Sequence, residues 1–312
     1  MNMQAPIHRR PVRLPPPFRD WVDALSAELM QAPGMKVDFT QPAGEAALAP
    51  VDSVSWRVFK NPVTVFVGGV AAVLLELAEP HVRDGVWNHS TFRRDALTRL
   101  KRTGMAAMVT VYGPRRVAEK MIAGVIRAHE QVAGTTREGD PYRANDPELL
   151  LWVQATATFG FVGAYDAYVR ELSPAEWDSA VAEAAPSARL YGVTEPPGSR
   201  AELDEVFERF EPRLGSNEVI AEFLSIMQEV EAFPAPARPL QRRLLRAAVE
   251  MLPPRLRNRI GLDTAEWRLG RIDRQIVRTA ARAADRLVLA RMPAAQASVR
   301  MGLPEDWLYR ES

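Results

Sequence analysis

Residues 115–132, RRVAEKMIAGVIRAHEQV, decide how the chain is read. Ala118, Ile122, Val125 and Val132 fall at steps of four, three and seven, so they share one stripe of an α-helix. His129 lies on that stripe. An imidazole taken out of water needs a partner, because a buried polar group without one is costly. Two kinds are open: a carbonyl or carboxylate of the protein, or a metal, which neutral imidazole ligates well. Just upstream, residues 99–104 read RLKRTG. Arg99 and Thr103 stand four residues apart and share a helix face, with Arg102 beside them.

Working outward, helix signals dominate. Asp146-Pro147-Glu148 supplies a capping carboxylate and a proline at the first helical position, opening a helix through Trp152, Phe159, Phe161 and Tyr165 to about Arg170. Ser173-Pro174-Ala175-Glu176 and Ser199-Arg200-Ala201-Glu202 are capping boxes. Pro62 starts a helix through Leu77 that is apolar nearly all round and therefore buried on most sides. Gly68-Gly69 within it weakens the helix and marks a close approach, either of another helix or of a flat cofactor. Glu79-Pro80 ends that helix, and Ser90 is the expected cap of the one bearing Arg99. Trp21, Leu25 and Leu29 give a short amphipathic helix over Phe18 to Leu29. Amphipathic helices also read at Leu203–Phe210, Asn217–Ala232, Leu240–Leu252 and Ile272–Ala290. Residues 133–145, with two glycines, a proline and many charges, read as a loop. No stretch alternates with period two, and no repeat recurs every 20–50 residues. The expectation is all-α: an N-terminal tail, short helix and connector over residues 1–50, then one large helical domain over 51–312.

Composition bounds the chemistry. At 47% apolar and 25% charged residues, the usage is that of an ordinary globular core. A net charge of +1 creates no field that favours nucleic acid or anionic lipid, and no nucleic-acid module is present. Cysteine is absent, which excludes disulfides, thiolate catalysis, iron–sulfur clusters and thiolate haem ligation. No signal-peptide core is visible. The most apolar run, Val63 to Ala78, is too short for a transmembrane segment, so a cytoplasmic location is expected. Lysine occurs only at positions 36, 60, 101 and 120, so arginine carries almost all the positive charge. The basic stretch Arg238 to Arg259 contains Leu244, Leu245 and Val249, and reads as a helix with a solvated face.

No Gly-rich phosphate loop, His-Glu-x-x-His or Gly-x-Ser-x-Gly is present. A three-histidine zinc site would need three of His8, His81, His89 and His129, of which His8 sits in the tail. His81 and His89 with Glu79 or Asp84 are too local for a rigid non-haem iron triad. Haem needs only one strong axial ligand, an apolar slot and cations for its propionates.

A set of motifs in this order resembles a known family. It comprises Trp56-Arg57-Val58-Phe59, Gly85-Val86-Trp87-Asn88-His89-Ser90, Arg99-x-x-x-Thr103, His129 followed by Val132-x-Gly134, and Tyr142-x-x-x-Asp146-Pro147-x-Leu149-Leu150-x-Trp152-Val153. The chain resembles the family joining rubber oxygenase (latex clearing protein) to the mycophenolic-acid side-chain oxygenase, most clearly over Val54 to Arg170. The resemblance implies a b-type haem iron held by the metal ligand His129, with Arg99 and Thr103 on the distal side. It implies an oxygenase that uses dioxygen on a small hydrophobic substrate, an unsaturated, isoprenoid-like chain. Rubber oxygenases carry a lysine before the distal threonine. Here Arg102 stands there, and a guanidinium stays charged and does not coordinate iron. The implied distal glutamate base has two candidates by proximity alone, Glu76 and Glu79. A non-catalytic helical haem- or ligand-binding protein, a sensor or carrier, is the alternative. From the residues alone, Arg99 could instead pair with Asp95 or a carboxylate across the core, and Thr103 could bond a carbonyl one turn back.

Overall fold

A computed structural model describes residues 11–16, 32–233 and 238–310. The expected helix over Phe18–Leu29, and His8, lie outside the described residues. Fourteen helices occur among them: α1 Val54–Phe59, α2 Pro62–Ala78, α3 Pro80–His89, α4 Ala96–Tyr112, α5 Arg115–His129, α6 Pro147–Tyr168, α7 Pro174–Tyr191, α8 Arg200–Phe210, α9 Glu218–Glu229, α10 Arg238–Glu250, α11 Pro254–Arg259, α12 Arg271–Arg286, α13 Pro293–Arg300 and α14 Trp307–Arg310. Among the described residues the fold is all-α apart from one hairpin.

That hairpin falls where the sequence reads as a loop. Strands β1 (Ala133–Thr135) and β2 (Pro141–Arg143) pair antiparallel, with Gly134 opposite Tyr142. Three residues are too few to display an alternating pattern, which is why the sequence does not announce them. The turn between them uses Gly139 at φ 100°, a conformation that side chains disfavour.

The centre is the pair α2 and α6. Each start is fixed by the residues that announce it. Asn61 Oδ1 accepts from the N–H groups of Val63 and Thr64 at 3.1 and 3.2 Å, with Pro62 next. Asp146 Oδ1 accepts from Glu148 N at 2.9 Å, with Pro147 next. The helices meet at two glycines: a Cβ on Gly68 would stand 2.4 Å from the Gly160 carbonyl oxygen. Gly68 therefore serves a helix contact. Gly69 faces the ring of Phe161, to which an added Cβ would come within 3.7 Å.

Around this pair, α3, α7, α8, α9, α10 and α12 contribute to the main apolar core. A second core holds Trp56, Met105, Met108, Tyr112, Ala118 and Ile122, covered by Phe39 and Leu48 of the connector. Trp152 is fully buried, stacks on Phe210 at 4.7 Å, and donates from Nε1 to Leu75 O at 3.3 Å, so it belongs to the core. Leu244, Leu245 and Val249 are buried beneath the basic face of α10, as their spacing predicts. The N-terminal segment straps onto the domain where Val12 pairs with Leu287.

One cap differs from expectation. Ser90 closes α3, and Asp95 opens α4 by accepting from Thr98 N at 3.1 Å. The intervening turn, with Arg94 and Asp95 N–H groups bonded to Thr91 O, displaces the start of α4 by one turn. No single helix among the described residues is long and apolar enough to cross a membrane. Only α2 with α3 would qualify together, and they bend by 108°.

Candidate active site

The site forms where the exposed edges of α2 and α6 face the half-buried ends of α4 and α5. Along α2, Phe66, Gly69, Val73 and Glu76 are partly exposed while the rest of the helix is largely buried; their steps of three, four and three make one face. Along α6, Val153, Ala157 and Phe161 do the same at steps of four. Gly69 beside Phe161 and Glu76 beside Thr156 show that the two faces run side by side. Glu76 is half-buried, and the desolvation it meets there raises its pKa.

Glu76 and Glu79, indistinguishable in the sequence, separate here. Glu79 caps α3 by accepting from Val82 N at 2.8 Å, and it binds His81 Nδ1 at 2.9 Å and Arg213 at 2.6 Å. Its carboxylate is fully occupied by structure. Glu76 has one hydrogen-bond partner: its Oε1 lies 3.3 Å from Thr156 Oγ1, a hydroxyl that also lies 2.9 Å from Val153 O. Burial pushes the Glu76 carboxyl up to about 7, against the lowering influence of the Thr156 hydroxyl and the Arg99 charge. A carboxyl poised there can hold or release a proton near neutral pH.

Arg99 is half-buried on α4 and has no hydrogen-bond or ion-pair partner among the described residues. Burial lowers its pKa, Glu76 raises it, and Arg102 lowers it. The carboxylate it faces is thus the one across the core; Asp95 is occupied by its helix cap. Arg102 and Thr103 are exposed. Thr103 Oγ1 donates to Arg99 O at 2.9 Å, one turn back, which leaves its oxygen able only to accept.

His129 ends α5. Ala118 and Ile122 bury the start of its stripe in the second core, and Val132, just beyond, packs against the main core. The imidazole is half-buried, and its Nδ1 is fully buried without a hydrogen-bond partner. Burial holds its pKa below the ordinary value; the nearby Asn145 side chain opposes that shift, and the Arg99 charge adds to it. Glu76, Arg99 and His129 therefore sit within electrostatic reach, Arg99 acting on both others. The other described histidines are satisfied locally: His81 by Glu79, and His89 Nε2 by Tyr142 Oη at 3.1 Å. Among the described residues, no three His, Asp or Glu side chains converge as a metal cage.

A family model described as ER-bound oxygenase mpaB/B′/rubber oxygenase, catalytic domain, matches residues 56–286. The chain belongs to this family. It carries an oxygenase catalytic domain, and the matched segment includes every site residue named above, while the second apolar core extends beyond it on both sides, with Phe39 before it and Tyr309 after it. Comparison with curated proteins and with solved structures returned no match.

Several residues of this oxygenase domain have the chemistry that a haem ligand and its propionates call for. Burial disfavours the charged form of His129, as suits a ligand, and its Nε2 makes no hydrogen bond among the described residues. The facing walls are apolar, with Gly69 letting the backbone come close. Arg99 and Arg102 are cations without carboxylate partners within ion-pair distance among the described residues. Sequence reasoning left Glu76 tied with Glu79 and passed over Thr156 and Asn145. Asn145 sits inside the Tyr142-x-x-x-Asp146 motif, but an asparagine before a helix start carries no chemical signal of its own.

Proposed function

We propose that the protein is a haem b-dependent oxygenase that acts on an unsaturated, isoprenoid-like hydrocarbon chain with dioxygen. The observation that carries this reading is the half-buried His129, its charged form disfavoured by burial and its Nε2 unused, in the electrostatic neighbourhood of unpaired Arg99 and the proton-poised Glu76. Haem bound there supplies the one-electron and dioxygen chemistry that side chains lack.

The chain's own residues supply the rest. His129 Nε2 holds the group. Arg99 offers a fixed positive charge in a low-dielectric recess, where charge acts strongly. Glu76 takes up or releases a proton at its free carboxyl oxygen, with Thr156 holding the other. Phe66, Val73, Val153 and Phe161 present a dry surface suited to a hydrocarbon. Substrate choice and the role of dioxygen come from the family's named members and are tested directly. Haem-reconstituted protein is expected to consume oxygen with a polyisoprenoid or terpenoid and release carbonyl or oxygenated products. Glu76→Gln should lower that rate while leaving haem uptake unchanged.

A second reading is a haem- or ligand-binding sensor or carrier without turnover. It is favoured by the permanently charged Arg102 where rubber oxygenases have lysine, and by the Thr103 hydroxyl donating to its own helix. Haem uptake with no substrate-dependent oxygen consumption would select it.

A further inference from the structure

Two buried polar atoms make no hydrogen bond of ordinary geometry, Nδ1 of His129 and Oδ1 of Asn145, yet the two side chains are close enough for Asn145 to raise the His129 pKa as a hydrogen-bond partner. Such orphans are rare and call for an explanation. The far end of the amide is fixed. Asn145 Nδ2 donates at 3.1 Å to the carbonyl of Ile126, one turn before His129 on α5. The backbone is fixed too, since Ala144 N donates to Val132 O and Val132 N to His129 O, both at 2.9 Å. Asn145 is therefore held at the end of α5 by its own amide and by the base of the hairpin.

The donor inventory then decides the tautomer. With Nδ2 turned to Ile126, the atom left toward the ring is a carbonyl oxygen, which only accepts. The group an imidazole can offer it from Nδ1 is an N–H. A neutral imidazole carries one N–H, so a proton on Nδ1 leaves the Nε2 lone pair bare. We infer that Asn145 is a positioning residue, whose Oδ1 accepts the Nδ1 proton of His129 and fixes the tautomer in which Nε2 is free to ligate iron. This rests on the reading of His129 as the haem ligand. It adds how the chain prepares the ring before the group arrives. It also says something about tuning. An amide accepts without a charge, so it orients the imidazole without the added basicity that a carboxylate partner confers.

The test is nitrogen NMR on the full-length chain, prepared without haem, with its histidines labelled, near neutral pH. His129 is expected as the Nδ1–H tautomer in the wild type. Asn145→Ala should shift it toward Nε2–H, the form free histidine prefers in water, and weaken haemin binding roughly 10- to 100-fold. Asn145→Asp should keep Nδ1–H, restore haemin binding, and lower the reduction potential of the bound iron. An Nε2–H tautomer in the wild type, or a tautomer unmoved by Asn145→Ala, would overturn the inference; the wild-type measurement decides even where the alanine variant folds poorly. The two readings fail separately. An Nδ1–H ring in a protein that takes up no haemin supports the role of Asn145 and removes the haem. A haem-binding protein whose haem-free ring carries Nε2–H does the reverse.

Discussion

Gly68 and Gly160 touch backbone to backbone: a Cβ on Gly160 would lie 2.3 Å from the carbonyl oxygen of Gly68. No side-chain movement relieves a clash with backbone, so α2 and α6 would have to separate, and with them the faces that line the site. Gly160→Ala should therefore cost about 3 kcal/mol or more, above the usual range for overpacking. Gly104→Ala, where an added Cβ meets nothing within 4 Å, should be tolerated. Thermal and urea melts of the two variants check this.

The raised pKa of Glu76 links proton binding to stability. Between the ordinary value of 4.5 and about 7, the folded protein holds a proton that the unfolded chain has lost. The haem-free fold is thus favoured below about 4.5, and its stability declines as pH rises toward 7. The shift corresponds to about 3 kcal/mol at most. Glu76→Gln should remove this decline and be more stable than the wild type above pH 7, as read from urea midpoints across pH. Arg99→Leu should enlarge the decline, because the Arg99 charge is one of the influences that lowers Glu76. Equal slopes in wild type and Glu76→Gln would contradict the burial argument.

Lys60 and Asp285 form a buried pair at 3.3 Å that joins α12 to the segment between α1 and α2. Lys60 Nζ also donates to Leu308 O at 2.9 Å, and Tyr165 donates to Asp285 at 3.4 Å. Burial lowers the Lys60 pKa, and Asp285 is the main influence raising it. Asp285→Asn should therefore destabilise by about 3 to 5 kcal/mol, since a buried ammonium loses its counter-charge. Adding Lys60→Met to that variant should recover part of the loss, measured by denaturant unfolding.

The helices were legible because their ends are written locally. The Ser173–Glu176 capping box and the Asp146-Pro147 start appear as the sequence announces them, while at Ser199 only half of the expected box forms: Ser199 accepts from Glu202 N, and the Glu202 carboxylate accepts from Gly198 N instead. The site was legible in part. His129 stands on a periodic stripe, and periodicity is a local property. Which carboxylate faces Arg99 is not local. Glu76 and Glu79 lie three residues apart, and only the partners that Glu79 finds in Val82, His81 and Arg213 separate them. The Gly68–Gly160 contact and the Asn145–His129 juxtaposition likewise depend on tertiary packing, which no spacing rule encodes. The hairpin over residues 133–143 escaped notice because its strands are shorter than the pattern that identifies strands.

The central claim is that the imidazole at position 129 is an iron ligand. The most direct measurement is the visible absorption spectrum of the protein after haemin addition and gel filtration, for the wild type and His129→Ala. The account predicts a Soret band that co-elutes with the wild type and is lost or strongly shifted in the variant. A wild type that emerges colourless, or a variant with an unaltered band, would contradict it.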